Sequence, residues 1–242
     1  MYHELFDQAK AVRPSFRGNV LLFFCIFTMC QAPQADTVHP PVMRVFRKRQ
    51  MDRYAVEIDT DGTAGKGVYE FDWKVSGQQP DDRVAESKIS VAFLDLRATI
   101  NDQEAPVRKS FGAANFRLTP TGFPLDLSIG GDTGLFVLPL LSWYLPKDPL
   151  GKETSFAVPE TVFDNVIHVS GEGSVKSMDD KAVTFEMKLQ FQNSSKPAGE
   201  TDKPPKFSSS ATFNRQSGTL MKSEGEIDSP SGVVKFHIRH LR

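Results

Sequence analysis

Cysteine is nearly absent from this sequence. The only two, Cys25 and Cys30, lie within the first thirty residues. If that segment is removed, the remaining chain has no disulfide, no thiolate nucleophile and no cysteine-based metal site. Its stability must then come from a hydrophobic core, which a domain of roughly two hundred residues can supply.

A strong net charge is also lacking, since 29 basic and 30 acidic residues give −1 at pH 7. A nearly neutral chain has no general basic field, so no nucleic-acid partner is predicted. One basic cluster, "VFRKRQMDR", runs from Val45 to Arg53. It is typical of a solvated strand face or sheet edge, where Lys and Arg discourage pairing. Contact with lipid headgroups or a polyanion is the second interpretation.

No apolar run near the N-terminus is long enough to span a bilayer. Residues 20–30, "VLLFFCIFTMC", are uncharged, but as a helix they would reach roughly 17 Å against a hydrocarbon core of roughly 30 Å. Arg13 and Arg17 precede this run, and small or polar residues follow it. The pattern predicts a secretory signal peptide over residues 1–35 and hence an exported protein of the periplasm or cell envelope. An uncleaved segment that dips into the membrane is the alternative.

A lipid anchor at Cys30 is not predicted. The three residues before it, Phe27, Thr28 and Met29, lack the leucine and small residues of a lipoprotein site. The rest of the chain, 36–242, is predicted to be a single β domain. It is interrupted at 193–206 by "NSSKPAGETDKPPK", which is too polar and proline-rich to fold and is expected to be a solvent loop.

Phosphate-binding and metal-binding patterns are missing from the sequence. "DGTAGKG" has Thr60 where a P-loop needs its first glycine, and Gly67 where it needs Ser or Thr. His237 and His240 in "HIRH" are three residues apart, so on a strand they point to opposite faces and cannot share one metal ion. The sequence therefore predicts no metal and no cofactor.

Catalytic signatures are missing as well. Asp164, His168 and Ser170 share one strand face, but on a straight strand they lie roughly 7–13 Å apart, beyond hydrogen-bond reach. Ser142 has no Gly-x-Ser-x-Gly context. No catalytic residue is predicted, and a hydrolase without a recognisable motif is only the third functional hypothesis.

Apolar residues recur at every second position from Tyr54 onward, which is the period of strands with one buried face. The sets are Tyr54, Val56 and Ile58; Tyr69, Phe71, Trp73 and Val75; Val183, Phe185, Met187, Leu189 and Phe191; and Val234, Phe236 and Ile238. Short turns between them predict an all-β, mainly antiparallel fold, in which "DTDGTAGKG" links a hairpin and "RQSG" and "SPSG" separate three final strands. Phenylalanine, at 19 residues, adds apolar area without a polar group and suits such an interior.

Irregular positions are also visible in the pattern. In "KISVAFLDLRATI" the apolar phase changes after Phe93, so a bulge or bend is predicted at Phe93–Leu94. "NFRLT" and "FPLDLSI" are predicted to be further short strands, and in the second Phe123, Leu125, Leu127 and Ile129 are in register.

"GLFVLPLLSWYLP", from Gly134 to Pro146, is the most apolar stretch outside the N-terminus. It has no polar stripe, unlike a surface helix. Pro139 suits the first turn of a short helix that begins near Leu138, and Pro146 ends it. Three interpretations remain open: a core helix that closes the edge of a curved sheet, a lid over a cavity for an acyl chain, and transient membrane contact. The candidate ligand-binding residues are Leu138, Leu141, Trp143, Tyr144, Trp73 and Phe71.

The second half of the chain resembles a group of uncharacterised exported bacterial β-sheet proteins. The resemblance runs from Leu145 to Arg242 and is carried by "LPKDPLGKETSF", with Phe156 in place of the group's Trp, and by a "VSGEG" turn in the strands that follow. In architecture the chain also resembles the half-barrels of bacterial lipoprotein carriers. These resemblances imply an envelope protein with a strongly curved sheet or half-barrel whose edge or mouth is closed by the short helix.

The leading functional hypothesis is a non-enzymatic envelope protein that binds a lipid, another hydrophobic ligand or an envelope protein partner. The alternative is a structural or interaction module with a solid core and no ligand.

Overall fold

Antiparallel strands form most of the chain that the computed structural model describes, namely residues 39–42, 51–62, 65–78, 86–106, 113–119, 121–125, 134–151, 154–163, 166–194 and 204–241. All of these belong to one compact unit, Asp36–Arg242. The expected signal peptide at 1–35, both cysteines and most of the 193–206 loop lie outside the described residues.

One sheet of eleven strands is seen within these ranges. The strands are β1 (Met51–Gly62), β2 (Gly65–Gln78), β3 (Ser87–Ile100), β4 (Gln103–Ala105), β5 (Ala113–Leu118), β6 (Ser155–Phe163), β7 (Ile167–Met178), β8 (Ala182–Asn193), β9 (Lys206–Asn214), β10 (Leu220–Ser229) and β11 (Gly232–Leu241). Their order is β4-β3-β2-β1-β11-β10-β9-β8-β7-β6, and β5 also pairs with β3. Every pair is antiparallel and the sheet is curved but not closed, so the predicted fold class is confirmed.

The core lies on one face of this sheet, and alternation decides which residues reach it. On β8, Val183, Phe185 and Leu189 are buried, whereas the intervening Glu186 and Lys188 are exposed. The apolar sets predicted on β1 and β2 are buried in the same way, except Tyr69, which is partly buried. The short helical segment described below packs against this apolar face, where it approaches β1, β2, β3, β9 and β10.

Register shifts help the sheet to curve, because a bulge bends a strand and increases its twist. They interrupt four strand pairs: β2–β3, β6–β7, β7–β8 and β9–β10. In the first, Phe93 pairs with Trp73 but Arg97 pairs with Glu70, and Asp95 between them has φ 53°. The bulge predicted at Phe93–Leu94 is therefore confirmed, one or two residues further along.

Both turns predicted in the last third are confirmed, since "RQSG" joins β9 to β10 and "SPSG" joins β10 to β11. The β1–β2 hairpin is confirmed as well, with pairing that extends to Gly62 and Gly65. Between β7 and β8, the backbone N–H groups of Lys181 and Ala182 donate to Asp179 Oδ1. These hydrogen bonds, that from Ala182 first, lower the pKa of Asp179.

The "VSGEG" turn was a wrong prediction, because these residues form the middle of β7. Gly173 pairs with Phe156 of β6, and a Cβ on this glycine would lie 2.3 Å from the Phe156 ring. Gly225 on β10 pairs with Phe236 in the same way, and its Cβ would lie 2.6 Å from that ring. The role of these two glycines is therefore to leave room for an aromatic ring of the neighbouring strand, and neither glycine forms a turn.

The strand predicted for "FPLDLSI" is also not formed where the chain is described. Pro124 forms an isolated bridge with Leu118, and the N–H of Leu125 donates to the carbonyl oxygen of Arg117. The N–H and C=O groups of Phe123 bond to Thr119 across a tight turn, in which Gly122 has φ 81°. In the described residues the pairing with β5 therefore stays limited to this short return of the chain. Leu127 and Ile129 lie outside the described residues.

The predicted apolar helix is confirmed. An α-helical turn, α1 (Gly134–Val137), continues into a 3₁₀ helix (Leu138–Trp143) with Pro139 in its first turn. The chain becomes extended at Tyr144 (φ −62°, ψ 135°). We refer to residues 134–143 as the plug, because they lie against the apolar face of the sheet.

Candidate functional site

The plug and the strands beneath it form the candidate site. Leu140, Leu141 and Trp143 are at most 1% exposed, so the plug buries its side chains almost completely. Its one polar side chain, Ser142, donates a 2.7 Å hydrogen bond to the carbonyl oxygen of Pro139 within the same helix. The plug therefore meets the sheet mainly through apolar and aromatic side chains.

An aromatic cluster joins the two ends of the plug to the first three strands. The indole rings of Trp143 and Trp73 are 6.1 Å apart at 81°, and the Tyr54 ring is 5.7 Å from Trp143. At the other end, Phe136 meets Phe71 edge to face at 5.3 Å. The structure thus brings together three of the six predicted residues, Phe71, Trp73 and Trp143.

Tyr144 follows the plug and packs in a different direction. Its ring lies 6.0 Å from Phe123 and 5.8 Å from Phe156, and its hydroxyl donates to the carbonyl oxygen of Ala157 at 3.4 Å. Burial, and then repulsion from Asp148, raises the pKa of Tyr144. These contacts link the chain that follows β5 to the edge strand β6.

The two remaining predicted residues differ in exposure. Leu141 is fully buried, whereas Leu138 at the start of the 3₁₀ helix is only partly buried and packs at the margin of the core. Next to Tyr144, the backbone N–H of Leu145 donates to the carbonyl oxygen of Thr121, which ties the end of the plug to the turn beyond β5.

Below the 3₁₀ helix, β9 and β10 present short side chains to the core. Ser209 pairs with Gly225, and Ala211 pairs with Ser223. Cα atoms of the 3₁₀ helix come within 8 Å of Cα atoms on both strands. We call Ser209, Ala211, Ser223 and Gly225 the small-residue floor. Sequence reasoning did not single these positions out, although Ser209 and Ala211 stand in phase between the core residues Phe207 and Phe213.

Three buried polar atoms of the site have no hydrogen-bond partner in the described part of the chain. They are Ser209 Oγ, Ser223 Oγ and Trp73 Nε1. The buried residues with polar side chains are Ser87, Thr121, Ser142, Ser209 and Ser223, and none of these is charged. The interior can therefore donate hydrogen bonds but has no charge with which to neutralise an ion.

The clefts of the structure open mainly among polar residues of the sheet. One, of about 1320 Å³, is lined mostly by side chains of the polar face such as Glu57, Lys222, His237 and Arg239. Two others measure about 610 and 520 Å³. Of the six predicted residues, only Phe71 borders any of these three clefts. On the opposite, apolar face the rings of the plug pack against Phe71 and Trp73.

Histidines do not gather into a reactive centre among the residues described. His237 is exposed on the polar face of the sheet. His240 lies beside Tyr54, and its Nε2 atom is 3.5 Å from Asp52 Oδ1. His168 meets Glu160 at the surface, and Asp164 lies outside the described ranges. The described residues contain no group of three or more His, Cys, Asp or Glu able to hold a metal. Within the same ranges, no helix combines the length and apolarity that crossing a bilayer requires.

Comparison with known proteins gives structural neighbours only, since no family model and no curated protein matches the chain. Rv2717c from M. tuberculosis has a TM-score of 0.35 at 7% identity, over 78% of this chain and 91% of that one. A DUF1329 family protein from Desulfovibrio piger has 0.24 at 7%, over 81% and 85%. A putative outer membrane lipoprotein-sorting protein domain from Vibrio parahaemolyticus has 0.24 at 9%, over 79% and 83%. All three of these TM-scores are below 0.5.

Proposed function

We propose that this chain is an exported, non-enzymatic envelope protein that binds a hydrophobic ligand on the apolar face of its sheet, in the place that the plug occupies. The observation that carries the proposal is the plug itself, because a segment without a polar face covers an apolar surface and forms no strand pair with it. An acyl chain presents the same kind of surface to the sheet. The signal-peptide pattern at residues 20–30 supports export.

The energies involved allow such an exchange. The plug buries five apolar side chains of the core, Phe136, Val137, Leu140, Leu141 and Trp143, which represent about 7.5–15 kcal/mol of burial at about 1.5–3 kcal/mol each. A sixteen-carbon acyl chain buries about 12 kcal/mol, at about 0.8 kcal/mol per methylene. The plug also has little structure of its own to lose, since its α-helical part has four residues and its 3₁₀ part has no side-chain cap.

A second candidate is an interaction module with a solid core, the alternative from the sequence. The specific observation in its favour is the close ring packing at the plug, with Phe136 and Phe71 5.3 Å apart and Trp143 and Tyr54 5.7 Å apart. In that case the plug is a permanent part of the core, and ligands leave it in place.

Both tryptophans of the chain lie at this site, so their emission distinguishes the candidates. The full chain is titrated with 1-lauroylglycerol below its micelle concentration, and native mass spectrometry counts bound ligand. If the ligand displaces the plug, the tryptophan emission shifts. Leu141→Ala is then expected to bind the ligand several-fold more tightly, because weaker packing of the plug raises the fraction of protein whose apolar face is open to the ligand. Val162→Ala, on the exposed part of β6, is the matched control and keeps wild-type affinity.

Absence of both the emission shift and the mass adduct, in the wild type and in Leu141→Ala, overturns the proposed function. Binding that becomes weaker in Leu141→Ala overturns displacement of the plug, because Leu141 then contributes to the site instead of covering it.

A further inference from the structure

Two serines occupy positions on the apolar face where the pattern elsewhere places apolar residues. Ser209 on β9 is 7% exposed and Ser223 on β10 is 4% exposed. Ser209 follows Phe207 at the next inward position, and Ser223 pairs with Ile238 of β11. Both therefore lie within the apolar core, on the two strands that also approach the 3₁₀ helix of the plug.

The hydroxyl groups of these serines are unsatisfied. Neither Oγ atom has a hydrogen-bond partner among the described residues, whereas the buried Ser142 Oγ donates to Pro139. A buried polar group without a partner destabilises the fold by about 1–3 kcal/mol. Alanine, which already stands between Ser209 and Phe213 at position 211, would avoid that cost. The two hydroxyls thus offer hydrogen bonds that the described fold does not use.

The surroundings restrict what can accept these hydrogen bonds. The described interior holds no charged side chain, so an ionised carboxylate or phosphate would be buried without a counter-charge, at a high cost. A carbonyl oxygen accepts hydrogen bonds from serine hydroxyls and carries no net charge. The stacked rings of Phe207 and Phe236, 5.7 Å apart at 19°, lie next to the floor and provide apolar contact for a chain attached to that carbonyl.

We propose that Ser209 and Ser223 form a polar subsite that binds the carbonyl group of an uncharged acyl ester, with its hydrocarbon chain along the apolar face. The proposal rests on the proposed function and adds the chemical class of the ligand. It does not involve bond cleavage, and the two serines act as hydrogen-bond donors.

Three matched probes test the subsite in the full chain. 1-Lauroylglycerol contains the ester carbonyl, 1-O-dodecylglycerol keeps the headgroup and a twelve-carbon chain but lacks the carbonyl, and laurate carries a negative charge. Each is titrated below its micelle concentration by tryptophan emission. The wild type is expected to bind the ester about tenfold more tightly than the ether, since each net hydrogen bond contributes about 0.5–1.5 kcal/mol, and to bind laurate most weakly.

The test variant is the double substitution Ser209→Ala/Ser223→Ala. The control is Ser210→Ala, whose side chain lies on the opposite, polar face and borders the cleft of about 1320 Å³. The double variant is expected to bind the ester as weakly as the ether, with its affinity for the ether unchanged. The control keeps the tenfold preference. Thermal unfolding shows that each variant folds, and the double variant is expected to be at least as stable as the wild type without ligand, because it loses two unsatisfied groups.

Equal binding of ester and ether by the wild type overturns the subsite but leaves the proposed function standing. The subsite is also overturned if the double variant retains the ester preference, or if laurate binds as tightly as the ester. Failure of every probe to bind overturns the proposed function itself.

Discussion

Trp73 and Trp143 meet edge to face, with ring centroids 6.1 Å apart and planes at 81°. The first lies on β2 and the second ends the 3₁₀ helix of the plug. The contact is one of several ring contacts between the plug and the sheet. Because the sequence contains no other tryptophan, the tryptophan emission of the protein reports directly on separation of the plug from the sheet. Edge-to-face aromatic pairs stabilise a fold by about 0.5–1.5 kcal/mol in addition to the burial of their apolar area, so this contact helps to keep the plug packed against the sheet.

The plug is expected to contribute strongly to stability. Leu141→Ala removes a fully buried side chain and leaves a cavity, so the free energy of unfolding should fall by about 2–5 kcal/mol. Urea denaturation followed by tryptophan emission measures the change. Val162→Ala, at a position 44% exposed on the edge strand, should lower it by less than about 1 kcal/mol. Equal losses in the two variants would mean that the plug is not part of the cooperative core.

Gly173→Ala should destabilise the fold, although alanine suits a strand better than glycine by about 0.5–1 kcal/mol. The added Cβ would lie 2.3 Å from the Phe156 ring and 2.9 Å from the carbonyl oxygen of Glu186. This clash outweighs the backbone gain, and a net loss of about 1–3 kcal/mol is expected in denaturant unfolding.

A double-mutant cycle with Phe156→Leu isolates the contact between Phe156 and Gly173. With a smaller side chain at position 156, Gly173→Ala should cost less than it does in the wild type, so the two changes are coupled. Strict additivity would show that the ring does not depend on the glycine.

The bulge on β3 should tolerate only certain residues at position 95. Asp95 has φ 53° and accepts a hydrogen bond from the Arg53 guanidinium at 3.0 Å. Asparagine tolerates this left-handed conformation, whereas a β-branched residue does not. Asp95→Val is expected to lower the free energy of unfolding by about 1–3 kcal/mol, and Asp95→Asn by less than about 0.5 kcal/mol. Thermal denaturation of both variants checks the difference, and similar losses would contradict the assigned backbone strain.

Tyr144 should contribute to loss of stability at alkaline pH. Its pKa is raised in the fold, by burial first and by Asp148 second, above the ordinary value of 10.0. From about pH 10 upward the unfolded chain therefore releases the phenolic proton more readily than the folded chain, and the free energy of unfolding falls. Tyr144→Phe lacks this contribution, so its stability should fall less steeply between pH 9 and 11.

At pH 7–8 the same variant should be less stable by about 0.5–1 kcal/mol, because it loses the hydrogen bond to Ala157. Urea midpoints measured from pH 7 to 11 give both effects. Parallel curves for the wild type and Tyr144→Phe would show that Tyr144 does not titrate differently in the folded and unfolded chains.

Local patterns were sufficient to predict much of the fold. Alternation on β2 and β8 identified their buried faces, since the period of two is a property of each strand by itself. The phase change after Phe93 located the bulge for the same reason. The prolines at 139 and 146 placed the short helix, because their effect on the backbone is also local.

Features that depend on distant neighbours were not predicted. Gly173 indicated a turn because nothing near it in the sequence shows that Phe156 lies across it. Phe123 suggested a strand, but Thr119 takes the hydrogen bonds of its backbone. Ser209 and Ser223 are ordinary strand residues until β8, β10 and β11 enclose them.

The central position of β1 and β11 in the strand order has a consequence for how the protein is made. Arg53 pairs with Leu241, so the first strand bonds to the last across almost the whole chain. A chain emerging from the ribosome can form one partial sheet from β1 to β5 and another from β6 to β10, and β11 joins the two. The loop that this pairing closes is long and its entropy is lost late, so folding is expected to be slow. Until then β1 carries an unpaired edge, and a chain shortened by its last strand would keep that edge open to aggregation.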